Sequence, residues 1–190
     1  MKFCSTCAGE LVSRVPQGDN RTRHVCVRCG TVHYQNPKIV TGSIPEWEGR
    51  LLLCRRAIAP RYGYWTLPAG FLENGETTHA GAARETLEEA GARVEVTSLF
   101  ATFNLPHIDQ VYMLFRARLL DLDFEPGEES LDVALFREED IPWGELAFPV
   151  IAETLKLYFA DRADRGFGSH MGDILREPGD GLPRYRVTML

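Results

Sequence analysis

Residues 70–92 of this chain read GFLENGETTHAGAARETLEEAGA, and this stretch decides the fold that we expect. Its later part, Thr77–Ala90, is predicted to be a helix, because apolar residues recur at helical spacing and Thr77 or Thr78 can cap the first turn. Gly91 follows the last turn, where a glycine commonly ends a helix. A helical wheel predicts a buried face formed by Ala80, Ala83, Leu87 and Ala90.

The opposite face of this predicted helix carries three glutamates, Glu85, Glu88 and Glu89. Glutamates three or four residues apart repel one another by roughly 0.2–0.5 kcal/mol per pair, and the last turn of a helix favours cations. Arg84 offsets part of this repulsion, since it lies four residues before Glu88. The pattern is unfavourable unless a cation binds there, and clustered carboxylate oxygens suit Mg²⁺ or Mn²⁺. For the helix taken alone, a solvated acidic face is the alternative.

The first 35 residues contain two pairs of cysteines, each pair separated by two residues. The four cysteines are Cys4, Cys7, Cys26 and Cys29. This spacing is typical of a closed tetrahedral zinc site with a structural role, which leaves no open position for catalysis. We therefore predict a zinc ribbon over residues 1–35, with Zn²⁺ supplying folding free energy that so short a segment lacks. Unrelated thiols or a redox pair are the alternatives.

The rest of the chain is predicted to form one domain over residues 36–160, followed by a polar tail over residues 161–190. Alternating or apolar segments predict strands at Lys38–Ile44, Arg50–Arg55, Val94–Phe103, Gln110–Leu119 and Asp132–Phe136. Pro149–Ala160 has the apolar spacing of a second helix. The tail is rich in glycine and proline, so we expect it to be loosely ordered or to act as an intersubunit arm.

Composition limits the classes of partner. The formal net charge is −6, which argues against broad contact with a nucleic-acid backbone, because such contact depends on clustered lysine and arginine. No apolar run approaches the roughly 18–20 residues that a membrane span needs, and the start of the chain lacks a secretory signal. We expect a cytoplasmic protein with no membrane partner and no nucleic-acid partner.

The order of glycines, glutamates and arginine in residues 70–92 resembles the signature of the Nudix hydrolases. Every glycine and charged position of that signature is matched, while Thr86 and Ala92 replace larger aliphatic residues and are expected to loosen the packing. The resemblance implies an α/β fold, the Nudix α/β/α sandwich with a mixed sheet, preceded here by the small four-cysteine zinc ribbon. It also implies an enzyme, a pyrophosphohydrolase that hydrolyses acid anhydrides with the help of Mg²⁺ or Mn²⁺.

The same resemblance implies roles for individual residues. Glu85 and Glu89 are expected to be the principal metal ligands, and Glu88 to bind the metal directly or through water. The carbonyl of Gly70 is expected to be a further ligand, and Arg84 to orient the site together with Glu76. A carboxylate outside the signature is expected to act as base or metal ligand; the prediction is Glu129, with Glu128 as the alternative.

A zinc ribbon followed at once by such a domain resembles two groups, the NADH pyrophosphatases and the plant FAD and ADP-ribose pyrophosphatases. Three stretches resemble the second group: 34–38, 65–70 and 126–130. The resemblance therefore implies hydrolysis of FAD or ADP-ribose with release of AMP, by a homodimer. NADH or a dinucleoside polyphosphate is the alternative substrate. A nucleotide-sensing regulator that binds nucleic acid is the alternative of another class.

An adenine or flavin ring is held by stacking on aromatic side chains, and phosphates are held by arginines. The predicted ring contacts are Tyr34, Phe103 and Tyr112. The predicted phosphate contact is Arg55, with Arg56 and Arg61 as alternatives.

Overall fold

The computed structural model describes residues 1–179 and 183–190 and contains two compact units, Met1–Asn36 and Pro37–Leu190. The first unit is a small antiparallel sheet with the strand order β1-β2-β3. These strands are β1 Leu11–Arg14, β2 Arg23–Cys26 and β3 Val32–His33. Two backbone turns hold the cysteine pairs: the N–H of Cys4 donates to the carbonyl of Gly9 at 2.8 Å, and the N–H of Cys26 donates to that of Thr31 at 2.9 Å.

The second unit is built around one mixed sheet. Its strands are β4 Lys38–Trp47, β5 Arg50–Arg56, β6 Trp65–Thr66, β7 Ala69–Phe71, β8 Val94–Leu105, β9 Gln110–Leu119, β10 Ser130–Phe136, β11 His170–Glu177 and β12 Arg184–Met189. The order is β10-β5-β4-β9-β8-β11-β12, with β6 beside β5 and β7 beside β4. The pairs β4–β9 and β8–β11 are parallel. The expected α/β fold with a mixed sheet is confirmed.

Two α-helices pack on this sheet within the described residues, α1 Thr78–Ala90 and α2 Pro149–Ala163. Alternate residues of β4 face them, as the two-residue period of a strand requires. Val40 and Ile44 belong to the main core cluster, which contains the buried apolar residues of α2. Thr41 lies on the other face, where its hydroxyl donates to the carbonyl of Thr78 in α1 at 2.6 Å. Neither helix is both long and apolar enough to cross a membrane.

Of the predicted buried face of α1 only Ala90 is fully buried, whereas Ala80 and Leu87 are exposed. The prediction of this face is otherwise wrong. Leu87 is 53% exposed, whereas Glu85 and Glu89 are only 8% and 7% exposed. The helix contacts β4 through small and hydroxyl-bearing residues, and the hydroxyls of Ser43 and Thr86 lie 2.6 Å apart. A wheel weighted by hydrophobicity cannot find such a face, because hydrogen bonds rather than apolar area stabilise it.

The prediction of a loosely ordered tail is also wrong. Strand β11 pairs in parallel with β8, and β12 pairs with β11. Ile174 of β11 is fully buried in the main core cluster. His170 Nε2 lies 2.9 Å from Asp161 Oδ2, which joins the start of β11 to the end of α2. Few apolar residues are needed at the edge of a sheet, so the polar composition of this segment concealed its strands.

Candidate active site

The second unit contains a cleft of about 1020 Å³. Strands β4, β7 and β9, helix α1, the loop before β10 and the hairpin β11–β12 all contribute to its walls. The predicted site residues that line it are Gly70, Arg84, Glu85, Glu88, Glu89, Tyr112, Glu128 and Glu129. The structure therefore brings the acidic residues of α1 and the acidic loop before β10 to one place.

Arg84 holds the carboxylates of this region in place. Its guanidinium donates to both oxygens of Glu76, at 2.7 and 3.0 Å, and one nitrogen donates to Glu85 at 2.8 Å and to Glu88 at 2.9 Å. It also donates to the carbonyl of Phe71 at 3.2 Å. The hydrogen bonds from Arg84 lower the pKa of Glu76 to about 2. The orienting role expected for Arg84 and Glu76 stays a prediction, and these hydrogen bonds are the contacts through which it would act.

Glu85 and Glu89 are the two buried carboxylates of the cleft. Burial and, to a lesser extent, the charge of the neighbouring Glu85 together raise the pKa of Glu89 to about 8. Burial also raises the pKa of Glu85 above its ordinary value. Two buried carboxylates in mutual repulsion are costly without a counter-charge, so this pair can hold a cation.

Gly70 is needed at its position because β7 runs against the carboxylate of Glu85. A Cβ atom added at Gly70 would overlap that carboxylate. The backbone φ of Gly70 lies outside the left-handed region, so close approach rather than conformational freedom explains the glycine. The carboxylate of Glu85 therefore lies directly against the backbone of β7, and carboxylate and carbonyl oxygens are the ligands that suit a hard divalent cation.

The acidic loop before β10 is joined to the end of α1 by backbone hydrogen bonds. Glu125 N–H donates to the carbonyl of Ala90 at 3.0 Å, and Gly127 N–H donates to that of Glu89 at 3.0 Å. A Cβ atom at Gly127 would overlap the carbonyl of Glu88. This close approach brings Glu129 near the helix, where its charge raises the pKa of both Glu85 and Glu89.

The predicted substrate contacts are placed differently. Tyr112 lines the cleft, whereas Phe103 is fully buried in the main core cluster, so its prediction as a ring platform is wrong. Arg55 donates a hydrogen bond from Nε to the carbonyl of Gly63 at 2.9 Å and does not line the cleft. The neighbouring Arg56 lines it instead. Alternation along β5 sends these two neighbouring side chains to opposite faces.

Tyr34 belongs to the first unit, where it is 62% exposed. The guanidinium of Arg23 lies over its ring, 5.0 Å from the centroid. Its predicted contact with substrate stays a prediction.

Other residues of the cleft were not predicted. They come from the turn at 106–108, the start of α2 and the hairpin β11–β12, and include His107, Ile108, Phe148, Ile174, Arg176 and Tyr185. No motif marks them, and the hairpin was expected to be unstructured. One signal was present in β12, where Tyr185, Val187 and Met189 alternate with polar residues as in a strand.

The four cysteines of the first unit converge. Their sulfur atoms all lie within 4.8 Å of one another, with Cys4 Sγ 3.7 Å from Cys29 Sγ and Cys7 Sγ 3.5 Å from Cys26 Sγ. Tetrahedral Zn–S bonds of about 2.3 Å place sulfurs about 3.8 Å apart. The four-sulfur cluster therefore fits a structural Zn²⁺. Cys54 is not part of it and is buried in the second unit, in an apolar cluster with Ala90 of α1.

Comparisons with known proteins agree with this geometry. Residues 2–35 match the zinc-ribbon family described as Nudix N-terminal, and residues 40–156 match the NUDIX domain. The chain is 60% identical to a NUDIX hydrolase of known structure from Nitrosomonas europaea, which covers 93% of this chain and 100% of that one with a TM-score of 0.90.

Two further relatives are more distant. An NAD-capped RNA hydrolase, NudC, from Photobacterium profundum is 30% identical over 84% of this chain, and the match spans only 60% of that protein. An ADP-ribose pyrophosphatase from Methanocaldococcus jannaschii is 29% identical over 60% of this chain and 69% of its own length. Since the NUDIX domain match alone covers most of the chain and includes every acidic residue of the cleft, this protein belongs to the Nudix hydrolase family.

Proposed function

We propose that this protein hydrolyses the pyrophosphate bond of a nucleoside diphosphate linked to a second group, most readily FAD or ADP-ribose, and releases AMP. The observation that carries this proposal is the buried pair Glu85 and Glu89 in a cleft of about 1020 Å³. Arg84 donates to Glu85, whose carboxylate lies against the backbone of Gly70. A cleft of this size accommodates a ligand much larger than a diphosphate.

Glu85, Glu89 and the carbonyl of Gly70 would hold a divalent cation, Mg²⁺ or Mn²⁺, with Glu88 as a weaker or water-mediated ligand. The exposure of Glu88, whose side chain is 58% accessible, supports this lesser role. A cation held there would neutralise phosphate charge and make the phosphorus more open to attack by water. Arg84 keeps the carboxylates in position, since it bonds Glu76, Glu85 and Glu88 together.

Glu129 is the proposed general base. It would take a proton from the water whose oxygen forms the new bond to phosphorus, while the bridging P–O bond breaks and its electron pair leaves with the second phosphate. Its proximity to Glu85 and Glu89, seen in the pKa of both, supports this choice. Glu128 lines the same cleft and remains the alternative.

The choice of substrate is supported by likeness to the ADP-ribose pyrophosphatase and by the three stretches that resemble the FAD and ADP-ribose enzymes. The second candidate substrate is a nicotinamide dinucleotide, either free NADH or the NAD cap of an RNA. It is favoured by the likeness to NudC, which extends over 84% of this chain. The net charge of −6 favours a small nucleotide over a long nucleic acid. Cytoplasmic location, the homodimer and the two kinds of metal remain predictions.

The test is a substrate panel with Mg²⁺ or Mn²⁺: FAD, ADP-ribose, NADH, a dinucleoside polyphosphate and an NAD-capped RNA, with products separated by chromatography. We expect AMP from FAD or ADP-ribose, at a kcat/KM higher than for the other three. Failure to cleave any of the five substrates with either metal contradicts the proposal. Faster cleavage of NADH or of the capped RNA replaces the proposed substrate by the second candidate.

Variants connect the activity to this site. Glu85→Gln and Glu89→Gln should each lower kcat by about 10²-fold or more, because each removes a metal ligand's charge. Glu129→Gln should lower kcat while metal binding persists, whereas Glu128→Gln should have the smaller effect. The matched control is Glu95→Gln, which lies on β8 in an exposed ion pair with Arg118 and should stay fully active.

A further inference from the structure

The proposed function leaves one end of the cleft without a role. Ile174, Arg176 and Tyr185 of the hairpin β11–β12 line this end, which we name the hairpin end. All three lie after residue 156, where the match to the NUDIX domain stops. The general features of the family therefore do not account for them.

The register of the hairpin shows which side chains share the face of the cleft. Arg176 and Tyr185 are direct partners across the two antiparallel strands, so their side chains lie on one face with Cβ atoms about 5 Å apart. Ile174 lies two residues before Arg176 on the same face and is fully buried in the core. The buried isoleucine fixes the orientation of this face, and Arg176 and Tyr185 continue it to the mouth of the cleft.

Two aromatic rings meet at the hairpin end. The centroids of His107 and Tyr185 are 5.5 Å apart, with the planes tilted by 49°. His107 follows β8 in the turn at 106–108 and also lines the cleft. Tyr185 is half-buried and packs against the main core cluster, so its ring is held in place while part of it faces the cleft.

Arg176 adds a charged planar group beside these rings. Its side chain is exposed, and it forms no ion pair with any residue in 1–179 or 183–190. An unpaired guanidinium next to aromatic rings suits a flat ligand, since arginine both stacks on ring faces and donates in the ring plane.

The order of strands in the sheet places the hairpin end away from the backbone of Gly70. Strand β7, which carries Gly70, is separated from β12 along the order β7-β4-β9-β8-β11-β12. Five strand spacings of about 4.8 Å place the two strands on the order of 24 Å apart. With the diphosphate at Glu85, the hairpin end faces a group attached beyond it.

We propose that the hairpin end binds a planar heteroaromatic ring of the substrate, with Tyr185 and His107 stacking on the ring and Arg176 covering its other face or its polar edge. The inference rests on the proposed function for the place of the diphosphate. An adenine and a flavin ring share the required chemistry, and the experiment separates them.

The experiment measures binding of AMP, FMN and ribose 5-phosphate to the full-length protein by calorimetry, without turnover. AMP or FMN should bind more tightly than ribose 5-phosphate, and the tighter of the two identifies the ring. Tyr185→Leu should raise the Kd for that ligand at least about tenfold, because stacking on one base typically contributes this much affinity or more. Tyr185→Phe keeps the ring and should bind within about twofold of the wild type.

Arg176→Met provides a second variant that removes no core packing, and it should weaken binding about three- to tenfold. Its matched control is Arg186→Met, on the opposite face of β12, which should bind as the wild type does. The inference is overturned if neither AMP nor FMN binds better than ribose 5-phosphate, or if Tyr185→Leu and Arg176→Met both bind normally. Ring binding without hydrolysis of any panel substrate would contradict the proposed function alone.

Discussion

The hydroxyl oxygens of Ser43 and Thr86 lie 2.6 Å apart between strand β4 and helix α1, and both side chains are fully buried. Thr86 also donates to the carbonyl of Ala82 at 2.7 Å, so in this pair Ser43 is the donor and Thr86 the acceptor. Thr86 stands where Nudix hydrolases usually carry a larger aliphatic residue. The pair replaces apolar packing by a hydrogen bond, which positions the helix that carries Glu85 and Glu89.

The direction of this hydrogen bond predicts an asymmetry between two substitutions. Thr86→Val leaves the buried hydroxyl of Ser43 without an acceptor and should lower the free energy of unfolding by about 1–3 kcal/mol. Ser43→Ala leaves Thr86 bonded to Ala82 and should cost about 1 kcal/mol or less. The measurement is chemical denaturation of both variants and of the double variant, in which Ser43→Ala should recover part of the loss caused by Thr86→Val. Equal costs that add in the double variant would show that the two hydroxyls are not coupled.

The sequence predicted the elements that carry strong local signals. Helix α1 was predicted over Thr77–Ala90 and is observed over Thr78–Ala90. The side chain of Thr77 caps its start and Gly91 follows its last residue. Which face of α1 is buried could not be predicted, because it depends on hydroxyls of β4 that are distant in sequence. Local periodicity contains no information on such partners.

The error at Phe103 has a similar cause. Phe103 and Tyr112 are both aromatic residues of predicted strands, so the sequence does not distinguish them as ring platforms. In the structure they are direct partners on β8 and β9. In the structure Phe103 packs over Gly172 of β11, where an added Cβ atom would come within 3.0 Å of the ring. The strand that covers Phe103 was expected to be an unstructured tail, so one wrong element produced a wrong site residue.

Glu89 should make the metal-free protein less stable as the pH rises. Its pKa is about 8 in the folded protein against an ordinary value of 4.5, so the folded state holds the proton more tightly than the unfolded state does. Protonation of Glu89 therefore stabilises the folded state. This contribution is fully present below about pH 4.5 and is lost as the pH rises through about 8. Glu89→Gln removes this dependence, and at pH 8 it should unfold at least about 2–4 °C higher than the wild type.

Thermal unfolding between pH 5.5 and 8 without added divalent cation measures this difference. Addition of Mg²⁺ or Mn²⁺ at pH 8 should then stabilise the wild type and leave Glu89→Gln unchanged, since the cation replaces the proton. Parallel pH profiles for the two proteins would mean that Glu89 is ionised in the folded state at neutral pH.

Gly70→Ala should impair catalysis without unfolding the protein. The backbone of Gly70 permits an alanine, but the added Cβ atom would overlap the carboxylate of Glu85. The carboxylate must move, and a displacement of about 1 Å in a catalytic group can cost about 10²-fold in rate. Steady-state kinetics with the preferred panel substrate measure the loss. Gly144→Ala is the matched control, because an added Cβ atom there meets no atom within 4 Å; full activity of Gly70→Ala would exclude the close approach as a requirement.

The zinc ribbon should bind one zinc ion per chain and unfold without it. The sulfur separations of 3.7 and 3.5 Å match those of a tetrahedral Zn²⁺ site, and the strands of this unit are too short to fold on apolar burial alone. Elemental analysis should find zinc in the purified protein and in Cys54→Ala, whose cysteine lies outside the cluster. Cys26→Ser should lose it.

Hydrogen exchange then locates the effect of that loss. In Cys26→Ser the amides of β1 and β2 should exchange at rates close to those of an unfolded peptide, because the metal supplies the folding free energy of the unit. The amides of β4 and β9 should keep their protection, since their partners all lie within the second unit. Protected amides in β1 and β2 of the zinc-free variant would show that the small sheet folds without metal. This result would contradict the structural role predicted for Zn²⁺.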